Sequence, residues 1–353
     1  MTSTHEVALL RIVAQRLAGP RCATPTDAVR WLTAVQGQEL PGALTSVALR
    51  SDGAGRADVE AALTAGEVVR SWPMRGTLHL VAAADLHWML DLLGPRVLAV
   101  AAPRRAIVGL TLDDLDRARE IAVAALRGGG RMSRAELLAA LAQGGALVDG
   151  QRGYHTLWFL SQTGTLVLGP MGDGDQQFTL LDEWVPAARR ATPADPMAEL
   201  ALRFFRSHGP ATVKDLVRWA GVLVRDVRPA LAAVRDELTG IDVDGTEHLM
   251  DPATPELLDA HRDEARRVFL LPGFDELVLG YADRSCTVPA EHAGRIVPGN
   301  NGVFRPTVVS DGRVVGTWKA TGKGARRTIA VDPFTTLTPR VDTAVTAAFD
   351  ALS

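Results

Sequence analysis

The 353-residue chain holds two cysteines, Cys22 and Cys286, far apart and in no C-x-x-C spacing. That scarcity excludes a disulfide framework and a cysteine-ligated zinc site, and it suits a reducing compartment. Lysine is nearly missing as well: Lys214, Lys319 and Lys323 are the three lysines among 38 basic residues. The arginine bias fits a GC-rich genome and fits phosphate recognition, and composition does not separate the two. No apolar run approaches the roughly 20 residues that span a bilayer. The amphipathic start, Met1 to Leu17, is broken by Arg11, Gln15 and Arg16 and lacks the basic head and continuous apolar core of a signal peptide. A cytoplasmic protein that is neither exported nor membrane-embedded is expected. The eight histidines are scattered, without H-E-x-x-H or paired His/Cys spacing, and neither a Walker loop nor a dinucleotide fingerprint occurs. No metal and no cofactor is expected.

What is present describes a folded globular chain. Hydrophobic residues make up 47% and charged residues 22%, far from the composition of disordered segments. The length suggests two or three domains at about 150 residues each. A net charge of -3 argues against a highly basic, unspecific DNA coat and leaves local patches open.

Three stretches repeat one theme, a helix followed by a Ser/Thr-x-x-acid helix start: Thr24 to Asp27, Ser133 to Glu136 and Thr212 to Asp215. The second predicts helices over Leu115 to Leu126, Ser133 to Leu141 and Tyr154 to Gln162, then strands Thr165 to Leu168 and Gln177 to Leu181 joined by the turn Gly169 to Asp175. The third predicts helices Met197 to Ser207, Thr212 to Ala220 and Val224 to Val234, then a hairpin turning at Asp244-Gly245. Helix, helix, helix, hairpin is the winged-helix order. The first region is less regular: helices Glu6 to Leu17, Thr26 to Val35, Thr45 to Leu49 and Ala57 to Ala65, a strand-like run Val68 to Val81, and a helix Ala84 to Leu93. After Pro252 strands dominate, with a tight hairpin at Asp311-Gly312. The expected fold class is α+β, mainly α, divided as winged helix 1 over residues 1–105, winged helix 2 over 106–192, winged helix 3 over 193–251 and a β-rich C-terminal region over 252–353. Three such units in series can line a concave surface long enough for a duplex, which points to double-stranded DNA as the substrate.

The segment Gln36-Gly37-Gln38-Glu39-Leu40-Pro41 follows an apolar helix and places two amides two positions apart. On an intact helix they would stand about 200° apart, whereas at a broken helix end they can converge. Converging amides orient a water molecule without deprotonating it strongly, so chemistry built on them requires a good leaving group. The bland alternative is that Gln36 and Gln38 cap a helix end.

Three segments carry a resemblance: Gln36-Gly37-Gln38; the run Arg70-Ser71-Trp72-Pro73-Met74-Arg75-Gly76-Thr77-Leu78-His79-Leu80-Val81; and Leu270-Leu271-Pro272-Gly273-Phe274-Asp275-Glu276-Leu277-Val278-Leu279-Gly280-Tyr281-Ala282-Asp283-Arg284. With the later Asn301-Gly302-Val303-Phe304-Arg305-Pro306 they resemble the AlkZ-type winged-helix DNA glycosylases of bacteria. The resemblance implies a C-shaped assembly of three winged helices and excision of N7-alkylated purines, whose cationic ring leaves as a neutral base without a protein acid. In some members it implies unhooking of interstrand cross-links as self-resistance to a genotoxic natural product. Gln36 and Gln38 then match the paired-glutamine motif that positions water and stabilises the sugar cation. A related branch carries aspartate second, so Gln38 favours the cross-link branch. Gly37 departs from the aliphatic residue or alanine usual between them.

Other candidates are expected to touch DNA. Arg75 and His79 alternate with Thr77 on a strand and face one side together; the alternatives are an ion pair for Arg75 and a core position for His79. Arg152, Tyr154 and His155 open the second unit's recognition-helix candidate. Arg313, Lys319, Lys323, Arg326 and Arg327, with Trp318 among them, form a basic hairpin able to track phosphates or enter a minor groove. Asp275 and Glu276 read as adjacent strand residues on opposite faces, either assisting catalysis or pairing with Arg284. With no lysine near Gln36, a monofunctional glycosylase acting as a monomer is the leading expectation. A non-catalytic winged-helix regulator or architectural DNA-binding protein is the alternative, and a protein-interaction scaffold is the third.

Overall fold

The computed structural model describes residues 2–172, 175–322 and 327–352. Contacts gather them into two compact units, Met1–Asp58 with Met197–Ser353, and Val59–Pro196.

In the first unit, α1 (Thr4–Ala14) starts where the Ser3 side chain accepts a hydrogen bond from Glu6 N, and α2 (Pro25–Leu32) starts under a Thr24 cap. Pro25 fills the first turn, where its missing N–H costs nothing. The sequence pattern carries this helix on to Val35, but it ends at Leu32. Thr33 takes a φ of +68°, a value a β-branched residue seldom adopts and one that turns the chain out of the helix. Val35–Gln36 form a two-residue strand, β1, and α3 (Leu40–Ala48) follows with Pro41 in its first turn.

The second unit contains most of α4 (Arg56–Thr64) and the antiparallel hairpin of β2 (Val68–Met74) and β3 (Thr77–Ala82). The two turn residues, Arg75 and Gly76, have φ of +55° and +71°, the mirror-image turn that matches strand twist. Next, α5 (Leu86–Ile107) runs through Pro95 and Pro103, well past the expected end at Leu93. It is followed by α6 (Leu112–Leu126), α7 (Arg134–Gln143), α8 (Arg152–Gln162), β4 (Leu166–Met171), β5 (Gln176–Leu180) and the short α9 (Leu181–Trp184). Full capping boxes open α6 at Thr111 and α7 at Ser133. β2 lies between β3 and β4, and β5 flanks β4. Leu115, Ala118, Ala122 and Leu126 put one stripe of α6 into a core with Leu137, Leu157, Leu160 and Phe178. Each large apolar side chain so buried contributes about 1.5–3 kcal/mol before entropy is charged.

The remainder of the first unit opens with α10 (Pro196–His208), α11 (Val213–Ala220), α12 (Val224–Ala233) and the β6 (Thr239–Val243), β7 (Thr246–Met250) hairpin, which turns at Asp244-Gly245. A full capping box at Thr212 starts α11. Then come α13 (Thr254–Ala265), β8 (Val268–Leu271), α14 (Glu276–Leu279), α15 (Ala293–Ile296), β9 (Thr307–Ser310), β10 (Arg313–Thr321), β11 (Thr328–Pro333) and α16 (Pro339–Asp350). The last strands form a sheet in the order β11-β10-β9-β8. α16 covers it with Val345 and Phe349 against Leu270 and Val308, and α1 packs on α13. Thus the C-terminal region holds its expected strands together with helices that strand propensity did not show. Among the described residues, no helix is long and apolar enough to cross a membrane.

Candidate functional site

Because α2 ends at Leu32, Gln36 and Gln38 sit on extended chain and the bend after it, so the angular separation of a helix does not apply to them. Gln36 is recessed, 6% exposed, while Gln38 is exposed. The Gln36 main-chain N–H donates to Glu276 Oε1 at 3.0 Å. Glu276 is fully buried, and its Oε2 accepts from Trp219 Nε1 at 3.0 Å.

Glu276 owes its place to the helix start it belongs to. Asp275 caps α14 by accepting from Leu277 N at 3.0 Å, and Ser46 Oγ donates to it at 2.6 Å. Arg50, just beyond α3, grips both Asp275 oxygens at 2.9 Å. The preceding loop packs closely against the start of α3. A Cβ on Gly273 would meet Phe304 O at 2.7 Å, and one on Gly42 would meet Gly273 O at 3.4 Å. Segments 36–42, 270–284 and 301–306 therefore meet inside one unit through backbone contacts that glycine permits.

This corrects the reading of Asp275 and Glu276 as strand residues paired with Arg284. They are the cap and first residue of a helix, and the guanidinium partner is Arg50. Arg284 instead donates from Nε to Val278 O at 2.7 Å and lies 4.9 Å over the Phe304 ring. Burial pushes the Asp275 carboxyl up, but the Arg50 charge and the hydrogen bonds from Arg50, Ser46 and Leu277 outweigh it and hold the group below the usual carboxylate value. A carboxylate so fully engaged is not a base for water.

Arg75 is not on a strand beside Thr77 but in the turn between β2 and β3, because Met74 pairs with Thr77 and leaves two residues for the loop. Its guanidinium nevertheless reaches His79 Nε2 at 3.1 Å, and His79 Nδ1 lies 2.8 Å from Thr77 O. A carbonyl only accepts, so Nδ1 carries the proton and Nε2 accepts from Arg75, which makes His79 a neutral imidazole. The structure brings this pair together with His79 fully buried.

At the start of α8, Arg152 donates from Nε to Val108 O at 2.9 Å and from Nη1 to Asp149 at 2.9 Å. His155 is half-buried; burial, with the nearby Arg104 charge, lowers its pKa and so favours the neutral imidazole. It stands edge-on to Tyr154 and Trp158. On the C-terminal sheet, Arg313 and Lys319 are exposed on β10. The Arg327 guanidinium lies 4.9 Å over the Phe349 ring, and Trp318 Nε1 donates to Leu271 O at 2.9 Å. Lys323 and Arg326 lie outside the described residues.

Sequence reasoning missed Arg50, Ser46, Trp219 and Gln15, whose Oε1 accepts from Arg50 Nη2 at 2.8 Å. The available signal for Arg50 was a single charge at the end of the uncharged, mostly apolar stretch Leu40 to Leu49, which marks a buried, paired arginine. Among the described residues, no group of three or more His, Cys, Asp or Glu side chains could hold a metal ion.

The model of a family described as "DNA glycosylase AlkZ-like" matches residues 29–353. A Streptomyces sahachiroi protein named "Interstrand DNA cross-link repair glycosylase" is 28% identical over 304 residues, covering 83% of this chain and 81% of that protein. The solved structure of Streptomyces sahachiroi DNA glycosylase AlkZ superposes with a TM-score of 0.79 at 26% identity, covering 98% of this chain and 94% of that one. Its mixture of helices and strands is the one described above. The chain belongs to the AlkZ-like DNA glycosylases, enzymes that hydrolyse N-glycosidic bonds.

Proposed function

We propose that this glycosylase hydrolyses the N-glycosidic bond of N7-alkylated purines in double-stranded DNA, interstrand cross-links among them, as self-resistance to a genotoxic natural product. The cross-link substrate is supported by the name of the Streptomyces relative. The chemistry is supported by one observation above all: the helix stops at Leu32, which leaves a recessed Gln36 two residues before an exposed Gln38.

In this reading the bond between C1′ and the purine nitrogen breaks with its electron pair going to the base. The alkylated ring, cationic beforehand, departs neutral and needs no acid. The two amide oxygens orient water toward the oxocarbenium-like sugar and stabilise its charge. Water adds to C1′ and loses its proton to solvent. No lysine precedes Lys214, which supports water rather than a Schiff base and hence abasic DNA as product.

The helix, helix, helix, hairpin order of α6–β5 and of α10–β7 supports winged helices over 106–192 and 193–251, after a first over 1–105 and before the β-rich region 252–353. Arg75, His79, Arg152, His155 and the hairpin residues Arg313, Lys319, Lys323, Arg326 and Arg327 are the DNA contacts of this reading, in a cytoplasmic monomer. Incubating the protein with duplex DNA carrying 7-methylguanine tests it: free base and alkali-labile abasic sites are expected. Tight duplex binding without base release would favour a DNA-binding regulator.

A further inference from the structure

We infer that Glu276 is the positioning residue of the paired-glutamine motif, fixing the main chain of Gln36 through a buried carboxylate; the inference rests on the proposed role of Gln36. β1 is two residues long and is entered from Thr33 at a φ of +68°, so the placement of the motif is set by the partners it meets in the fold. A carboxylate accepting a backbone N–H forms a charge-assisted bond, roughly twice as strong as a neutral one. The Gln36 N–H donates to Glu276 Oε1 at 3.0 Å, at the residue whose side-chain amide would face the sugar.

The carboxylate is bonded by one neighbouring helix and flanked by another. Trp219 of α11 donates to Oε2 at 3.0 Å, and His208 Nε2 of α10 lies 3.5 Å from the same oxygen. His208 is oriented in turn by Ser207 Oγ, which lies 2.8 Å from its Nδ1 and 2.7 Å from Arg203 O. The Phe204 ring stacks on the imidazole at 4.8 Å. Gly280 makes room, since a Cβ there would stand 2.9 Å from His208 Cδ2. From below, α14 is fastened by the Asp275 bonds to Arg50 and Ser46. Helices 10, 11 and 14 thus converge on one carboxylate whose other oxygen holds Gln36. Catalytic groups need placement within about 0.5 Å, and buried carboxylates with this many fixed neighbours provide it.

A purely structural role would cost stability and slow excision only in proportion. The test compares Glu276→Gln, Trp219→Phe and the core truncation Leu258→Ala in single-turnover release of 7-methylguanine, with DNA affinity, melting temperature and the Gln36 amide proton resonance measured for each. Glu276→Gln is expected to slow the chemical step by about 10- to 100-fold, the loss that a misplacement near 1 Å causes, with affinity unchanged and the Gln36 amide proton moved upfield. Leu258→Ala, at a matched thermal loss, is expected to keep its rate. If Glu276→Gln does not fold, Trp219→Phe removes the indole bond to Oε2 and is expected to move both the amide resonance and the rate. An unmoved Gln36 resonance, or rates that track melting temperature across all variants, overturns the inference. Wild-type excision by Gln36→Ala, run alongside, would instead overturn the reading on which it rests.

Discussion

Arg50 and Asp275 form a two-bond ion pair closed off from solvent, Nη1 to Oδ2 and Nη2 to Oδ1, both 2.9 Å. The pair ties the end of α3, which begins two residues after Gln38, to the cap of α14, which carries Glu276. Removing one member of such a pair leaves a bare buried charge and costs about 3–5 kcal/mol. Arg50→Leu should therefore lower unfolding free energy by about that much in urea, and Arg50→Leu with Asp275→Asn should cost less than the two singles added. Additive losses would mean that the two groups act independently.

The same pair sets an acid limit. The folded-state pKa of Asp275 lies below its ordinary value, with burial opposing and Arg50 prevailing. A depressed carboxyl contributes stability that is complete above the unfolded value near 4 and is lost as pH falls through the lower folded value. Denaturation midpoints of wild type should fall below about pH 4, and Asp275→Asn should start lower and lose this component of the slope. Parallel curves would remove Asp275 from the acid transition.

Arg75 occupies a left-handed turn position, φ +55°, which costs an L-residue roughly 1–2 kcal/mol relative to glycine. Arg75→Gly relieves that strain but removes the donor to buried His79 Nε2, a loss of similar size, so it should leave the melting temperature nearly unchanged while weakening duplex binding and excision. A fully active variant with unchanged duplex binding would show that the guanidinium serves only its contact with His79.

Much of the fold was legible because local chemistry specified it. Asp244-Gly245 and Asp311-Gly312 announced their turns, since Asp and Gly tolerate positive φ. Arg75-Gly76 makes the same turn with a residue that propensity does not favour, so the run Val68 to Val81 showed no break. The boxes at Ser133 and Thr212 were read correctly, and the equivalent box at Thr111 passed unnoticed. α16 was missed although Val341, Val345 and Phe349 repeat at four-residue spacing after a Thr338 cap. The glutamine pair was legible, but its frame was not. Nothing local links Gln36 to Glu276, 240 residues away, or Arg50 to Asp275, because those partners are set by tertiary packing alone.

The exposed cations of β10 make a separable claim about DNA. Each phosphate contact contributes about 0.9 to the slope of log affinity against log salt. Arg313→Glu and Lys319→Glu should each reduce that slope by about 1 while the rate of the bound complex stays the same. An unchanged slope would move the phosphate track elsewhere on the molecule.

The most direct measurement is single-turnover release of 7-methylguanine from duplex DNA by Gln36→Ala and Gln38→Ala at saturating protein. Base release should fall at least about 100-fold in each, the usual scale for losing a group that stabilises the transition state, with DNA affinity and melting temperature retained. Excision at the wild-type rate by either variant would contradict the assignment of water positioning and cation stabilisation to that glutamine.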